Sequence, residues 1–207
     1  SKMLSTFVMT MRGTPYNFNG DEIGMVNIRF DNIEDYNDVD TRNKYEQLKN
    51  AGGDLKAFLE NKKQTSRENG RTPFQWNATA NGGFTTGKPW LKVNPNYINI
   101  NAEAQEKDPN SVLNYYRKLV KVRKASPVLQ YGKYTLLDKD NPNVFSYTRE
   151  LNGKKTLILL NFTEKDATYD VGFSTKNSTL ILGNYPKLKS DKSNSLRPYE
   201  SMILELK

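Results

Sequence analysis

The chain has 207 residues, 36% of them hydrophobic, a net charge of +8 at neutral pH, no cysteine and no histidine. This length and apolar content fit one or two globular domains with a sizeable core. Without histidine or cysteine, the chain by itself excludes a tetrahedral zinc site, a Ser-His-Asp triad and a Cys-His dyad. No apolar run approaches the roughly 18 residues that span a bilayer, and no secretion signal is recognisable, so we expect cytoplasmic localisation.

The positive charge is spread along the chain. Residues 1–130 and residues 131–207 each carry a small excess of Lys and Arg, with Asp and Glu interleaved among them. Such interleaving is typical of a solvated surface, and no glycine-rich phosphate loop or basic helical stripe accompanies it. We therefore expect neither a nucleic acid nor a membrane as a partner.

The first elements follow from hydrophobic periodicity. Residues 2–12 carry apolar side chains at helical spacing, and the Gly-Thr-Pro run at 13–15 is predicted to end this helix. Residues 16–25 have an aromatic start and a Gly-Asp-Glu centre, which predicts a short buried strand that runs into a loop. Two further helices are predicted over residues 36–53 and 54–64.

The middle of the chain has little periodicity. Residues 66–108 are rich in Gly, Asn and Thr, and ordered loops of this length usually build a binding site. Residues 111–125 then show the clearest helical pattern, and Ser126 with Pro127 is predicted to end that helix.

Beyond residue 130 the period changes to that of strands. Asn152-Gly153 is the strongest single hairpin signal in this region. Short β-rich runs separated by turn residues predict an antiparallel β-sandwich over residues 131–207. The six runs are 133–138, 144–150, 155–163, 167–173, 178–185 and 200–207.

Carboxylates are the remaining acid-base groups of suitable pKa, and glycoside hydrolysis is a reaction that uses a carboxylate pair alone. Asp21 and Glu22 are adjacent, so on an extended segment we expect one to face loop amides and the other solvent, rather than both to flank one glycosidic bond. Asp35, Asp38 and Asp40 lie at the opening of a predicted helix, where the helix dipole favours negative charge. Spacing alone favours a structural role for these three.

Six blocks of sequence occur here in the order that one enzyme family shows. From Ser1 to Lys207 the chain resembles the C-terminal part of an α-glucosidase. More narrowly, it is similar to the oligo-1,6-glucosidase, dextran glucosidase and trehalose-6-phosphate hydrolase branch of the α-amylase superfamily. The blocks are "KMLSTFVMTMRGTPYNFNGDEIGMVNIRF", "YNDVDTRN", "SRENGRTPFQW", "GFTTGKPWLKVNPNY", "SVLNYYRKLVKVRKASPVLQYGKY" and "LRPYESMILEL".

The resemblance implies a fold of the α/β plus all-β class. Residues 1–130 would form the last section of a (β/α)8 catalytic barrel, and residues 131–207 a C-terminal antiparallel β-sandwich domain. In the barrel section, residues 1–12 would be the seventh helix, residues 13–25 the eighth strand with its exit loop, and residues 111–125 the eighth helix. One strand cannot close a barrel core, so we expect the chain to be one part of a longer enzyme, with the N-terminal part of that enzyme as its partner.

The family's three catalytic carboxylates belong to segments upstream of Ser1, so no catalytic residue is expected here. In the enzymes that this chain resembles, the arginine at the position of Arg67 pairs with an upstream Asp and grips the 4-hydroxyl of the terminal glucose. Arg71 is favoured as a scaffold of the loop, with substrate contact as the alternative. Asp40 falls where dextran glucosidases carry a Glu that contacts the second sugar, and its side chain is one methylene shorter.

The implied activity of the whole enzyme is retaining hydrolysis of terminal α-linked glucose in short oligosaccharides, with α-1,6 bonds favoured. No cofactor or metal is expected in this chain. Trp76, Phe84 and Trp90 are candidates to stack on sugars, although buried loop anchors are the commoner fate of such residues.

Two alternatives stay open. One is a non-catalytic member of the superfamily that lacks the catalytic carboxylates. The other is a stand-alone carbohydrate-binding β-module, which should show a row of exposed aromatic side chains. The alternation of aromatic with polar residues in this region instead predicts core positions. The aromatic residues concerned are Tyr134, Phe145, Tyr147, Phe162 and Tyr169.

Overall fold

A computed structural model describes residues 1–185 and 194–207. These residues pack as two compact units, one made of residues 1–17 and 114–207 and the other of residues 18–113. The helices are α1 (Lys2–Thr10), α2 (Val39–Asn50), α3 (Leu55–Thr65), α4 (Ala102–Lys107), α5 (Val112–Ala125) and α6 (Pro127–Tyr131). The strands are β1 (Lys133–Leu137), β2 (Val144–Leu151), β3 (Lys154–Asn161), β4 (Ala167–Thr168), β5 (Thr179–Gly183), β6 (Ser195–Leu196) and β7 (Ser201–Leu206).

The larger sheet is antiparallel and has the strand order β1-β2-β3-β7-β5, while β4 and β6 pair in a second, small sheet. All six predicted strand runs contain a strand, and β6 is an addition. Asn152 and Gly153 connect β2 to β3 with φ angles of 51° and 77°. Positive φ at both central positions is what a type I′ hairpin turn requires, so the predicted hairpin is confirmed.

The central strand β3 is buried on both of its faces. Leu157 and Leu159 pack into a cluster with Ala167 of β4 and Leu196 of β6. The alternate residues Ile158 and Leu160 pack against the opposite cluster, which α1 and α6 complete. A strand covered on both faces needs a continuous apolar run, which explains why this segment does not alternate with polar residues.

Two arginines are buried beneath the end of α1. The Arg149 side chain, which is fully buried, donates hydrogen bonds to the carbonyl oxygens of Thr10 at 2.7 Å, Leu129 at 2.8 Å and Gly132 at 2.9 Å. Arg123 donates to the carbonyl oxygens of Met9 at 2.7 Å and Gly13 at 2.6 Å, among others. Burial lowers the pKa of both guanidinium groups from the ordinary value. They satisfy carbonyl groups that a helix C-terminus leaves unpaired.

The unit of residues 18–113 is built around loops that small clusters hold in place. One cluster contains Ile23, Phe74 and Leu113, and another contains Phe30, Tyr36 and Leu91. The Gln75 side chain ties the long loop together by donating to Asn96 Oδ1 at 2.9 Å and to the carbonyl oxygen of Ile100 at 2.5 Å. The long aperiodic segment is therefore an ordered loop region, and α4 within it was not anticipated.

The buried strand predicted in residues 16–25 is wrong. The segment forms turns and a short 3-10 helix over Asp21–Ile23, and the Tyr16 side chain is 88% exposed. Neither of the two sheets in the described residues includes this segment. A strand needs a hydrogen-bonded neighbour, and positive φ angles at Gly20 and Gly24 turn the chain here instead.

The predicted end of α5 is confirmed with an addition, and one smaller expectation needs correction. Ser126 and Pro127 end α5, but they also start α6: the Ser126 hydroxyl accepts a hydrogen bond from the backbone N–H of Leu129, and Pro127 occupies the first turn. Phe162, predicted as core, is 41% exposed because it lies just past the end of β3. Tyr147 and Tyr169 are buried as predicted.

The domain boundary between residues 130 and 131 stays a prediction. The two compact units divide the chain at other residues, because α1 and most of α5 pack with the larger sheet. Within residues 1–185 and 194–207, no helix has the length and apolarity needed to cross a membrane.

Candidate functional site

Arg67 lies in a 3-10 turn, Arg67–Gly70, which follows directly after α3. The Ser66 hydroxyl starts this turn by accepting a hydrogen bond from the backbone N–H of Glu68 at 3.2 Å. Arg67 Nη2 donates to Asp38 Oδ1 at 2.6 Å, and the side chains are 65% and 7% exposed respectively. A buried carboxylate therefore holds one edge of the guanidinium group while the rest of that group faces solvent.

Asp38 is anchored by a second set of contacts. It is the N-cap of α2, and its Oδ2 accepts from the backbone N–H of Thr41 at 3.1 Å and from the Thr41 hydroxyl at 2.8 Å. The hydrogen bond from the Thr41 hydroxyl, followed by the one from Arg67, lowers the pKa of Asp38 below its usual value and outweighs the burial that acts in the opposite direction. The structural role expected for Asp38 is confirmed, and its pairing with Arg67 was not foreseen.

The pKa of Asp38 leads to a test of stability against pH. Because the folded-state pKa is lowered, the stabilisation is present above the ordinary carboxyl pKa of about 3.9 and is lost as the pH falls through the folded-state value. We expect Asp38→Asn to lower the free energy of unfolding by about 1 kcal/mol at neutral pH, because asparagine still caps a helix but loses the ion pair. Urea unfolding at a series of pH values should show this difference shrinking below about pH 4.

The matched control for that measurement is Asp40→Asn, which removes a carboxylate two residues away. A difference between Asp38→Asn and the unchanged protein that stayed constant down to about pH 2 would show that the charge of Asp38 is not what stabilises the fold.

Asp40 and Arg71, the other two predicted binding residues, are placed differently from Arg67. Asp40 forms an ion pair with Lys44 at 2.9 Å, one turn along α2, and both side chains are more than half exposed. Arg71 is exposed at the end of the turn, and its backbone N–H donates to the carbonyl oxygen of Glu68 at 2.9 Å. The structure therefore pairs Arg67 with Asp38, and not with Asp40.

Glu68 is a site residue that sequence reasoning missed. Its side chain is only 1% exposed, and its Oε1 accepts a hydrogen bond from the backbone N–H of Asn37 at 2.8 Å. Burial raises the pKa of this carboxyl, the backbone N–H of Asn37 opposes that shift, and the nearby Asp38 raises the pKa further. The signal that could have found it is the acidic residue directly after Arg67 inside the "SREN" block.

Asp21 and Glu22 both serve the turn in which they lie. Asp21 Oδ2 accepts from the backbone N–H of Phe18 at 3.1 Å, and Glu22 Oε2 accepts from that of Gly20 at 2.8 Å. Asp21 is exposed, as was expected of one of the two, and both carboxylates in addition bind loop amides. As expected, the pair has a structural task, because a 3-10 turn leaves amides that a side chain must satisfy.

The aromatic residues of the long loop are not buried anchors. Trp76, Phe84 and Trp90 keep about half of their surface exposed, and the Trp76 ring lies 4.5 Å from that of Phe74. Exposed rings of this kind can stack on sugars, which was the less favoured expectation for these residues.

The described residues therefore offer binding groups. An exposed guanidinium fixed by a buried carboxylate can hold a hydroxyl or an anion through its remaining N–H groups. Within the ranges 1–185 and 194–207, no group of three or more Asp or Glu residues is arranged to hold a metal ion.

Comparison with known proteins gives matches over the whole chain. A family model described as the alpha-amylase catalytic domain matches residues 1–132, and the maltogenic amylase C-terminal domain matches residues 134–203. The oligo-1,6-glucosidase of Parageobacillus thermoglucosidasius is 41% identical over 100% of this chain and 38% of its own length. The trehalose-6-phosphate hydrolase of Bacillus subtilis is 41% identical over 100% of this chain and 37% of its own length.

Solved structures agree with these matches. The trehalose-6-phosphate hydrolase of Bacillus licheniformis superposes with a TM-score of 0.92 at 36% identity, over 99% of this chain and 38% of that one. The isomaltulose synthase of Klebsiella sp. LX3 superposes with a TM-score of 0.90 at 36% identity, over 100% and 38%. The chain thus spans about 38% of the length of the relatives that it matches.

These matches confirm the predicted fold class, the end of a (β/α)8 barrel followed by an antiparallel C-terminal β-domain. The catalytic-domain match extends over more than half of the chain, and the two curated relatives named above are glycoside hydrolases of the kind that the sequence blocks suggested. The chain belongs to the α-amylase family.

Proposed function

We propose that this chain is the C-terminal portion of a retaining α-glucosidase that releases terminal α-linked glucose from short oligosaccharides, with α-1,6 bonds as the preferred linkage. The observation that carries the proposal is the match of nearly all of this chain to part of two oligo-1,6-glucosidases, 38% and 37% of their own length, together with the exposed Arg67 that Asp38 holds in place. The nucleophile and the acid/base carboxylates would come from the N-terminal part of the same enzyme. Cytoplasmic localisation remains part of this proposal.

In this proposal Arg67 recognises the end of the sugar chain. A guanidinium group has five N–H donors in a fixed plane, and the contact with Asp38 uses one of them. The remaining donors can bind a sugar 4-hydroxyl and the carboxylate of a second Asp from the N-terminal part of the enzyme. A pocket closed at the 4-hydroxyl accepts only chain ends, and therefore favours release of single glucose units.

Asp40 and Arg71 are proposed as weaker substrate contacts. Asp40 lies two residues after Asp38 at the start of α2, and Arg71 closes the turn that begins at Arg67. Both side chains are exposed, so a substrate that reached Arg67 could also reach them without displacing buried contacts.

The direct test is an intact-mass determination of the purified protein under denaturing conditions, run beside a p-nitrophenyl α-glucoside assay. Detection of a second polypeptide besides the 23.7 kDa chain, together with release of glucose from isomaltose, would support the proposal. Parallel assays with maltose and trehalose 6-phosphate would establish the linkage preference. If the chain joined to its N-terminal part released no glucose from any of these substrates, the proposed function would be wrong.

A further inference from the structure

Arg67 and Glu68, which are neighbours in the Arg67–Gly70 turn, differ in their exposure to solvent. The Arg67 side chain is largely exposed, whereas the Glu68 side chain is almost completely buried. A buried carboxyl group is costly unless hydrogen bonds compensate for the lost water. Glu68 must therefore make contacts that justify its burial.

The main contact of Glu68 leads directly to the partner of Arg67. Glu68 Oε1 accepts a hydrogen bond from the backbone N–H of Asn37, the residue that precedes Asp38. The Asn37 side chain in turn donates from Nδ2 to the carbonyl oxygen of Trp90 at 2.7 Å. Glu68 thus joins the turn that carries Arg67 to the segment that carries Asp38, and Asn37 extends the connection to the long loop.

The carboxyl group is only partly satisfied. Glu68 Oε2 has no hydrogen-bond partner among the described residues, and the hydrogen bond from the backbone N–H of Asn37 to Oε1 does not remove the cost of burial. An apolar side chain would fill this position at lower cost if packing were the only requirement. The retained oxygen acceptor indicates that the geometry of residues 37 and 38 matters.

We propose that Glu68 is a positioning residue: it fixes the backbone at Asn37 and Asp38 so that Asp38 holds the Arg67 guanidinium in the orientation that binds the terminal sugar. This inference rests on the proposed function of Arg67. Asp38 is then anchored from both sides, by Thr41 of α2 and by Glu68 through the backbone N–H of the preceding residue, Asn37.

A fixed backbone at Asn37 and Asp38 would restrict the positions that the Arg67 guanidinium group can take. Arg67 is long and largely exposed, so Asp38 alone would hold it at one point while its other torsions stayed free. Fixing the backbone beneath Asp38 narrows the range of guanidinium positions. A displacement of about 1 Å in a binding group can reduce the rate of an enzyme by about 100-fold.

The first test does not depend on any enzymatic activity. Hydrogen exchange of the Asn37 backbone amide is compared between the unchanged protein, Glu68→Ala and Glu68→Gln, with Glu46→Ala as control because Glu46 is exposed on α2. We expect exchange of this amide to become at least about tenfold faster in Glu68→Ala, because its acceptor is gone. Glu68→Gln should recover most of the protection, since its amide oxygen can accept the same hydrogen bond.

The second test asks whether Glu68 acts through Arg67. In the complete enzyme, Glu68→Ala should raise KM by about tenfold with a smaller change in kcat, and Glu68→Gln should recover part of the loss. In an Arg67→Ala background the effect of Glu68→Ala should disappear, as expected for two residues that act as one unit. Thermal melts of each variant identify any that fail to fold.

The outcomes separate the two proposals. If the unchanged enzyme shows no α-glucosidase activity, the proposed function fails, while the exchange measurement still tests the contact of Glu68. If Asn37 exchange is the same in Glu68→Ala, or if the effects of Glu68→Ala and Arg67→Ala simply add, the positioning role is wrong. A lower melting temperature with unchanged KM would show that Glu68 serves stability alone.

Discussion

Arg67→Ala should lower kcat/KM of the complete enzyme for isomaltose by about 100-fold, because hydrogen bonds from a charged group to a substrate contribute about 1.5–3 kcal/mol. The loss should appear mainly in the recognition of terminal glucose, since the guanidinium is the exposed end of the pair with Asp38. Arg67→Lys should not restore activity, because an ammonium group cannot reproduce the planar fork that binds a hydroxyl and a carboxylate together. Steady-state kinetics with isomaltose and with a longer oligosaccharide would measure both effects.

The matched control for Arg67 is Arg71→Ala, which removes the same side chain four residues later in an exposed position. We expect kcat/KM of Arg71→Ala to stay within about threefold of that of the unchanged enzyme, since Arg71 is proposed as a weaker substrate contact than Arg67. Equal losses in the two variants would contradict the assignment of terminal-glucose recognition to Arg67.

Arg149→Met should lower the free energy of unfolding by about 3 kcal/mol. Methionine fills a similar space with a flexible side chain, so the change removes hydrogen bonds while limiting the cavity that is left. The carbonyl oxygens of Thr10, Leu129 and Gly132 would lose the guanidinium that connects the end of α1 to α6 and β2. Urea unfolding followed by circular dichroism would measure the loss.

Lys121→Met is the control for Arg149→Met because Lys121 lies exposed on α5. Its free energy of unfolding should change by less than about 0.5 kcal/mol, as is usual for a surface substitution. If Arg149→Met changed the free energy of unfolding as little as this control, the hydrogen bonds of Arg149 to carbonyl oxygens would only offset the cost of burying its charge.

The candidate site shows where reasoning from sequence stopped. The block "SRENGRTPFQW" singled out Arg67 by its resemblance to a family, and the resemblance implied an upstream aspartate as its partner without naming a residue of this chain. The observed partner, Asp38, lies 29 residues earlier and had been interpreted through the helix that it caps. The Asp38 carboxylate can both cap α2 and bind Arg67 because its two oxygens face different groups. Oδ2 faces Thr41, and Oδ1 faces Arg67.

Glu68 was missed for a related reason. Neighbouring residues in a short turn differ in burial according to how the turn packs, and no periodic pattern encodes that difference over four residues. Only the packing of the turn against the segment around Asn37 decides that Arg67 faces solvent and Glu68 does not.

Local sequence patterns were sufficient to predict several helices, one hairpin and the kind of sheet. Helical periodicity located α1, α2, α3 and α5, turn residues located the β2–β3 hairpin, and the run of β-rich segments identified the antiparallel sheet. Features that depend on residues far away in the chain became visible only in the folded protein. Residues 16–25 form turns, and no strand among the described residues pairs with them, while the fully buried Arg149 finds its carbonyl acceptors up to 139 residues away. Hydrogen-bond partners and burial depend on which distant segments contact each other, and local sequence patterns do not encode those long-range contacts.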